Sequence, residues 1–212
     1  MSSQRMLYID CFSGAAGDML LGALIDLGLP MDALQGALGS LALDYGQISA
    51  DRVLRAGVSA TKFRLIEHGS ESEHSQHEHL QHHQHPQHLQ HDKHQHHHLS
   101  HIVAAIRRSA LSPEGRDRAV HLFERLAQAE AAIHNTPMER VHLHEVGAVD
   151  SIIDIVGTVY GFEWFGIDDI VASPLNVGGG MVRCAHGVFP VPAPATARLL
   201  SGVPVYGNGT SE

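Results

Sequence analysis

The chain is poor in cysteine, aromatic residues and positive charge. Of 212 residues only two are cysteine, Cys11 and Cys184. Two distant cysteines do not make a disulfide framework, so the fold must rest on a packed core. Aromatic residues make up 5% and there is one tryptophan, so this core must be largely aliphatic. Lysine and arginine number 14 against 23 acids, a formal net charge of -9 with histidine neutral. That balance argues against generic nucleic-acid binding, which needs a basic face to displace counterions. No apolar run approaches the about 18 residues that read as a membrane span. The best candidate, MLLGALIDLGLPM, is broken by Asp26 and Pro30. The start, MSSQRM, has no signal-peptide pattern, so a cytoplasmic protein is expected.

Histidine, by contrast, is abundant: 19 residues, most of them between His68 and His101. There the sequence is mostly His, Gln, Glu and Ser, too polar to offset the entropy of ordering. Residues 67–98 are expected to be a disordered insertion within one domain, with 1–66 before it and 99–212 after it. Clustered imidazoles bind Ni²⁺, Cu²⁺, Zn²⁺ or Co²⁺ loosely, as a reservoir rather than one site. A solvated spacer is the plain alternative.

Around the insertion, strands alternate with helices, so α/β is the expected class and α+β the second choice. MLYIDC, residues 6–11, reads as a short buried strand and 18–28 as a helix that stops at Gly28. A second helix is expected from Met31 to Leu41. Residues 47–66 suggest two strands turning near Ala56-Gly57. Helices follow at Ile102–Ala110 and at 113–134, the latter opened by Ser112-Pro113-Glu114. Residues 139–144 suggest a strand and 148–165 a long buried helix. DDIVASPLNVGGG reads as a strand entering a glycine-rich loop. FPVPAPAT reads as a rigid linker before a helix at Ala195–Leu200 and a strand near Val203–Tyr206. The ending GNGTSE has loop chemistry, which suggests one part of something longer.

Three stretches carry chemistry. In VHLHEVGAVDSIIDIVG (141–157), His142 and His144 would share one side of a strand, and Asp150 and Asp154 one face of a helix. Aliphatic neighbours make an unpaired carboxylate there costly. His142, His144, Glu145 and Asp150 are metal-ligand candidates, and His142, His144, Glu145 and Asp154 candidate catalytic groups. The alternative is a buried His–Asp network that holds strand to helix. In YIDCFSGAAGDM, small residues link a strand end to a helix start, the place where α/β sheets bind ligands. Asp10 and Asp18 are either ligands or a strand-end hydrogen-bonder and a helix-start acid. No Lys-Ser/Thr follows, so this is not a P-loop. In NVGGGMVRCAHGVFPVPAPAT, consecutive glycines permit close approach to a ligand. Cys184 and His186 are two apart, and Arg183 suits a phosphate or carboxylate. A turn and a stiff linker are the alternative.

Taken together, YIDCFSGAAGDMLLGALIDLG, HLHEVGAVDSIIDIVG and PLNVGGG…HGVFPVPAPAT resemble the nickel-insertion proteins that build the nickel-pincer nucleotide cofactor of lactate racemase (the LarC family). The three blocks occur in that family's order, and an internal His-rich insertion of variable length is also seen there. The resemblance implies CTP-dependent insertion of Ni²⁺ into pyridinium-3,5-bisthiocarboxylic acid mononucleotide, with Mn²⁺ or Mg²⁺. It implies that this chain is an N-terminal half and that CTP binds mainly to a C-terminal half. The product's recipient would be lactate racemase, and a homo-oligomer is expected. Nickel would be held by His142, His144 and Glu145 or Asp150, with Cys11 or Cys184 as soft ligands. The nucleotide would lie on Asp10, Ser13, Gly14, Gly17, Asp18, Gly179, Arg183 and His186.

Two other readings compete. A nickel store would use the histidine tract alone, so deleting 67–98 would abolish function; an insertion protein would suffer only at low nickel. A metal-dependent phosphoester hydrolase would use the His/Asp cluster to activate water.

Overall fold

The computed structural model describes residues 4–66, 98–141, 143, 149–184 and 187–207, with Cys184 described by its backbone alone. It is an α/β structure. The histidine-rich stretch 67–97 lies outside the described residues, as do His142, His144, Glu145 and His186.

Five helices carry the core. They are α1 (Gly17–Asp26), α2 (Met31–Gly39), α3 (Leu99–Arg108), α4 (Pro113–His134) and α5 (Val149–Phe165). Leu21, Leu34, Leu38, Ile106, Phe123 and Ile152 are fully buried within one apolar cluster. The hairpin of β2 (Gln47–Arg55) and β3 (Val58–Ile66) adds Phe63 to it. The hairpin turns through Ala56 and Gly57, both at positive φ (48° and 80°). That is the twist a two-residue connection needs between right-twisted strands.

Helix α4 shows how local signals set bounds. The Ser112 hydroxyl accepts a hydrogen bond from the Gly115 N–H at 3.0 Å and Pro113 opens the helix. Asn135 closes it in the left-handed conformation, φ 49°. Helix α5 packs on α1 because it is slim there. A β-carbon at Gly157 would lie 3.0 Å from Leu21, and one at Gly161 would lie 2.7 Å from Leu24. Two glycines one turn apart thus let two leucines seat in the surface of α5.

The strands form small pairs. β1 (Met6–Ile9) runs parallel to β4 (Asp169–Ala172), and β5 (Leu175–Asn176) runs parallel to β8 (Val205–Tyr206). β4 and β5 are two halves of one extended run, interrupted at Ser173-Pro174. The run stays joined to the first strand, since the Asn176 N–H donates to the Cys11 carbonyl at 3.2 Å. β6 (Met181–Cys184) and β7 (Gly187–Pro190) pair antiparallel, and α6 (Pro194–Leu199) follows.

Three expectations need correction. The strand expected at 139–144 is a turn of 3-10 helix at Met138–Arg140, and Val141 and Leu143 lie in no strand. Pro137 opens that turn, and both Val141 and Leu143 are buried against helices rather than paired in a ladder. The stretch 6–11, expected as a buried strand, is strand only to Ile9 and leaves Met6 and Tyr8 exposed, whereas the glycine-rich loop ending at Gly180 is found as expected and leads into the hairpin of β6 and β7. The linker FPVPAPAT is divided between that hairpin's second arm and α6, because Phe189 and Pro190 pair and Pro194 suits the first turn of a helix.

Among the described residues no helix is long and apolar enough to cross a membrane.

Candidate functional site

Two cavities flank the start of α1. The first lies at the carboxyl ends of the parallel strands β1, β5 and β8. It encloses about 560 Å³ and is walled by Ser13, Gly14, Asn176, Gly178, Gly179 and Thr196. The SGAAG and NVGGG loops frame it, beside the apolar side chains of Met19, Val182, Val191 and Leu200. Gly14 turns at φ 86° and its N–H donates to the Cys11 carbonyl at 3.1 Å. The Asn176 amide donates to the Phe12 carbonyl at 2.9 Å and its oxygen accepts from the Gly178 N–H at 3.1 Å. One side chain therefore clamps the SGAAG loop to the NVGGG loop. Ligands gather at strand carboxyl ends in α/β folds because backbone N–H groups point there.

The second is a groove of about 490 Å³ between α1, α4 and α5, with Ile9 and Ile170 of the β1–β4 pair at its base. Helix α5 presents to it one stripe at helical spacing: Ser151, Asp154, Ile155, Thr158, Val159 and Phe162. Its other side, Ile152, Ile153 and Val156, is buried in the core. Helix α4 contributes Arg118, Leu122 and Leu126.

Asp154 is the notable group of this groove. Its side chain lies against Gly17, the first residue of α1. A β-carbon at position 17 would sit 2.5 Å from Asp154 Oδ2, so only glycine leaves room for the carboxyl. Burial pushes the Asp154 carboxyl up to about 7, and the nearby charges of Asp18 and Asp150 push the same way. The Asp18 backbone N–H, at the positive end of α1, pulls against them. A carboxyl poised near neutrality in an apolar groove suits proton transfer.

The other anticipated residues fall as follows. Asp10 accepts hydrogen bonds from the Phe12 N–H and the Ser173 hydroxyl, both at 3.3 Å, as a strand-end acid does. Asp18 sits in the first turn of α1 and accepts from the Met19 N–H at 2.9 Å. Asp150 is exposed and accepts from the Ser151 N–H at 2.6 Å. Cys11 is 2% exposed, with its thiol toward the Ile9 carbonyl. Arg183 is exposed on β6, next to Val182 of the first cavity's wall. Among the described residues no three His, Cys, Asp or Glu side chains come together as a metal would need.

Sequence reasoning missed Asn176, Ser173, Arg118 and Thr158. Thr158 was legible, one turn after Asp154 on the same helical stripe. Arg118 was not, because only the packing of α4 on α5 brings it there.

The fold and site define an α/β protein with a cavity framed by two glycine-containing loops at its strand ends and a poised carboxyl beside it. The chain matches the family model described as "Nickel insertion protein" over residues 7–212, and it belongs to that family. It is 47% identical over 202 residues to a pyridinium-3,5-bisthiocarboxylic acid mononucleotide nickel insertion protein of Desulfitobacterium hafniense, covering 95% of this chain and 44% of that one. It is 47% identical over 205 residues to the protein of the same name from Geobacillus kaustophilus, covering 96% and 46%. The chain thus spans a little under half the length of these relatives. No solved structure matches it.

Proposed function

We propose that this chain works in the insertion of nickel into pyridinium-3,5-bisthiocarboxylic acid mononucleotide, the substrate in its relatives' names. The observation that carries the chemistry is Asp154: an apolar groove, a helix N-terminus and a carboxyl raised to about 7. Bonding a metal to a ring carbon requires that carbon to lose its proton. Asp154 is the base that takes it, since a base poised near the working pH is the most effective. Nickel is the cargo. Its holding ligands are His142, His144 and Glu145, with Asp150 at the start of α5 and Cys11 or Cys184 as soft donors. The nucleotide's phosphate lies over Ser13, Gly14, Gly17 and Asp18, where backbone N–H groups and the helix end favour an anion. Asp10, Gly179, Arg183 and His186 complete that side.

The finer reading follows the family resemblance. The reaction is of the lyase class and consumes CTP with Mn²⁺ or Mg²⁺, bound mainly by a C-terminal half that this chain needs for activity. The working protein is a cytoplasmic homo-oligomer, and lactate racemase receives the product.

The test is single-turnover nickel insertion, read by mass spectrometry, with CTP, Mn²⁺ and the C-terminal half supplied. Asp154→Asn should slow it by about 10²- to 10⁴-fold, the usual worth of a general base. A variant that inserts nickel at full rate removes Asp154 from the reaction.

A further inference from the structure

The groove beside Asp154 has two polar features that proton transfer does not use. Thr158 is 8% exposed, and its hydroxyl has no hydrogen-bond partner among the described residues. Buried hydroxyls are nearly always paired, so a lone one on a cavity wall points to a missing acceptor. Arg118 lines the same groove, exposed, and makes no ion pair among the described residues. None of the ion pairs among those residues joins it to Asp154. The guanidinium and the carboxyl are therefore not partners. Between them the wall is aliphatic and aromatic: Leu20, Leu122, Ile155, Val159 and Phe162.

We propose that this groove is the seat of a flat ring bearing acidic substituents, with Arg118 pairing one substituent and the Thr158 hydroxyl donating to another. The apolar walls would cover the ring faces. A guanidinium pairs with a carboxylate-like group through two parallel N–H bonds, which orients as well as attracts. The volume, about 490 Å³, is in the range of small-molecule sites. This rests on the functional reading above, and deepens it by giving the ring, rather than the phosphate, to the Asp154 groove. Arg118 and Thr158 would set which edge of the ring faces Asp154.

The experiment uses pyridine-3,5-dicarboxylate as the probe and the neutral pyridine-3,5-dicarboxamide as its control, titrated by calorimetry without nickel or CTP. The wild-type chain should bind the dicarboxylate at least tenfold more tightly than the diamide. Arg118→Gln should remove that preference, while Arg55→Gln, which makes the same charge change on the hairpin, should keep it. Thr158→Val should weaken the dicarboxylate about fivefold and yet raise the melting temperature of the unliganded protein, since it deletes an unpaired buried hydroxyl. A purely structural threonine would not show that opposition. No binding, equal binding of the two probes, equal loss in Arg55→Gln, or Thr158→Val with unchanged affinity would overturn the proposal. Nickel insertion that survives Arg118→Gln and Thr158→Val unslowed would sink the seat alone. Dicarboxylate binding in a chain that never inserts nickel, even with CTP, Mn²⁺ and the C-terminal half supplied, would sink the functional reading alone.

Discussion

The helical part of the molecule and its strand-rich end treat apolar side chains differently. From α1 to Phe162 a common core gathers many of them, although Leu27, Leu54 and Val58 stay outside it, and Leu21, Leu34, Ile106, Phe123 and Ile152 lose all contact with solvent. From Glu163 to Gly207 no described residue is buried. There, and on neighbouring β1 and the loop after it, Tyr8, Phe12, Val171, Met181, Val188 and Tyr206 stay exposed. Stability therefore resides in the helices, and the strands are held mainly by backbone ladders and loop hydrogen bonds. Both cavities lie where the two regions meet, so Asp154, the proposed base, stands on a well-packed helix, while the strand-end loops opposite carry little buried side-chain packing.

The sharpest way to break this contrast is to truncate one large side chain in each region. Phe123→Ala should cost about 3–5 kcal/mol, the usual range for emptying a packed core site. Tyr206→Ala, at the other end, should cost no more than about 0.5 kcal/mol. Urea midpoints of both variants decide it. Similar losses would mean that the strand end shares the core's burial in solution.

The next test sits on the boundary. Gly17→Ala puts a methyl group against the Asp154 carboxyl, where the structure leaves no room. Overpacking of this kind typically destabilises by about 1–3 kcal/mol. The carboxyl should be displaced with it, so nickel insertion should fall more than stability alone explains. Gly28→Ala is the poor control, because Gly28 has φ 112°. Gly36→Ala is the better one, in open space on α2, and should be neutral or slightly stabilising.

What was legible in the sequence follows the same divide. The bounds of α4 were readable because Ser112, Pro113 and Glu114 act within one turn of the chain. The β2–β3 turn was readable because Ala56-Gly57 separates two runs of strand-forming residues. The β6–β7 hairpin was hidden: its pairing of Met181 with Pro190 and Val182 with Phe189 is a cross-strand fact, and glycines and prolines masked the alternation. The strand at 139–144 was expected from residue types that the core buries without pairing. At the site, spacing put Asp150 and Asp154 on one helix among apolar neighbours, but nothing local set Asp154 apart from His142, His144 and Glu145 as the base. Its contact with Gly17, far away in the chain, belongs to the packing of α1 on α5 and has no local signature. The same holds for Arg118.

The smallest expected effect is also the most diagnostic. Asp154 titrates near 3.8 in an unfolded chain and near 7 when folded. Between those values the folded state binds more protons, so its stability falls as pH rises and the contribution is lost above about 7. Asparagine at 154 cannot ionise and escapes that loss. Asp154→Asn should match the parent below about pH 4 and exceed it at pH 8 by about 1 kcal/mol, once screening of a partly exposed carboxyl is allowed for. Urea midpoints at pH 4, 6 and 8 measure the difference directly. A variant less stable than the parent at pH 8 would mean that a donor holds the carboxyl charged. Asp154 would then belong to the hydrogen-bond network that ties α5 to its neighbours, and the base would have to be sought among His142, His144 and Glu145.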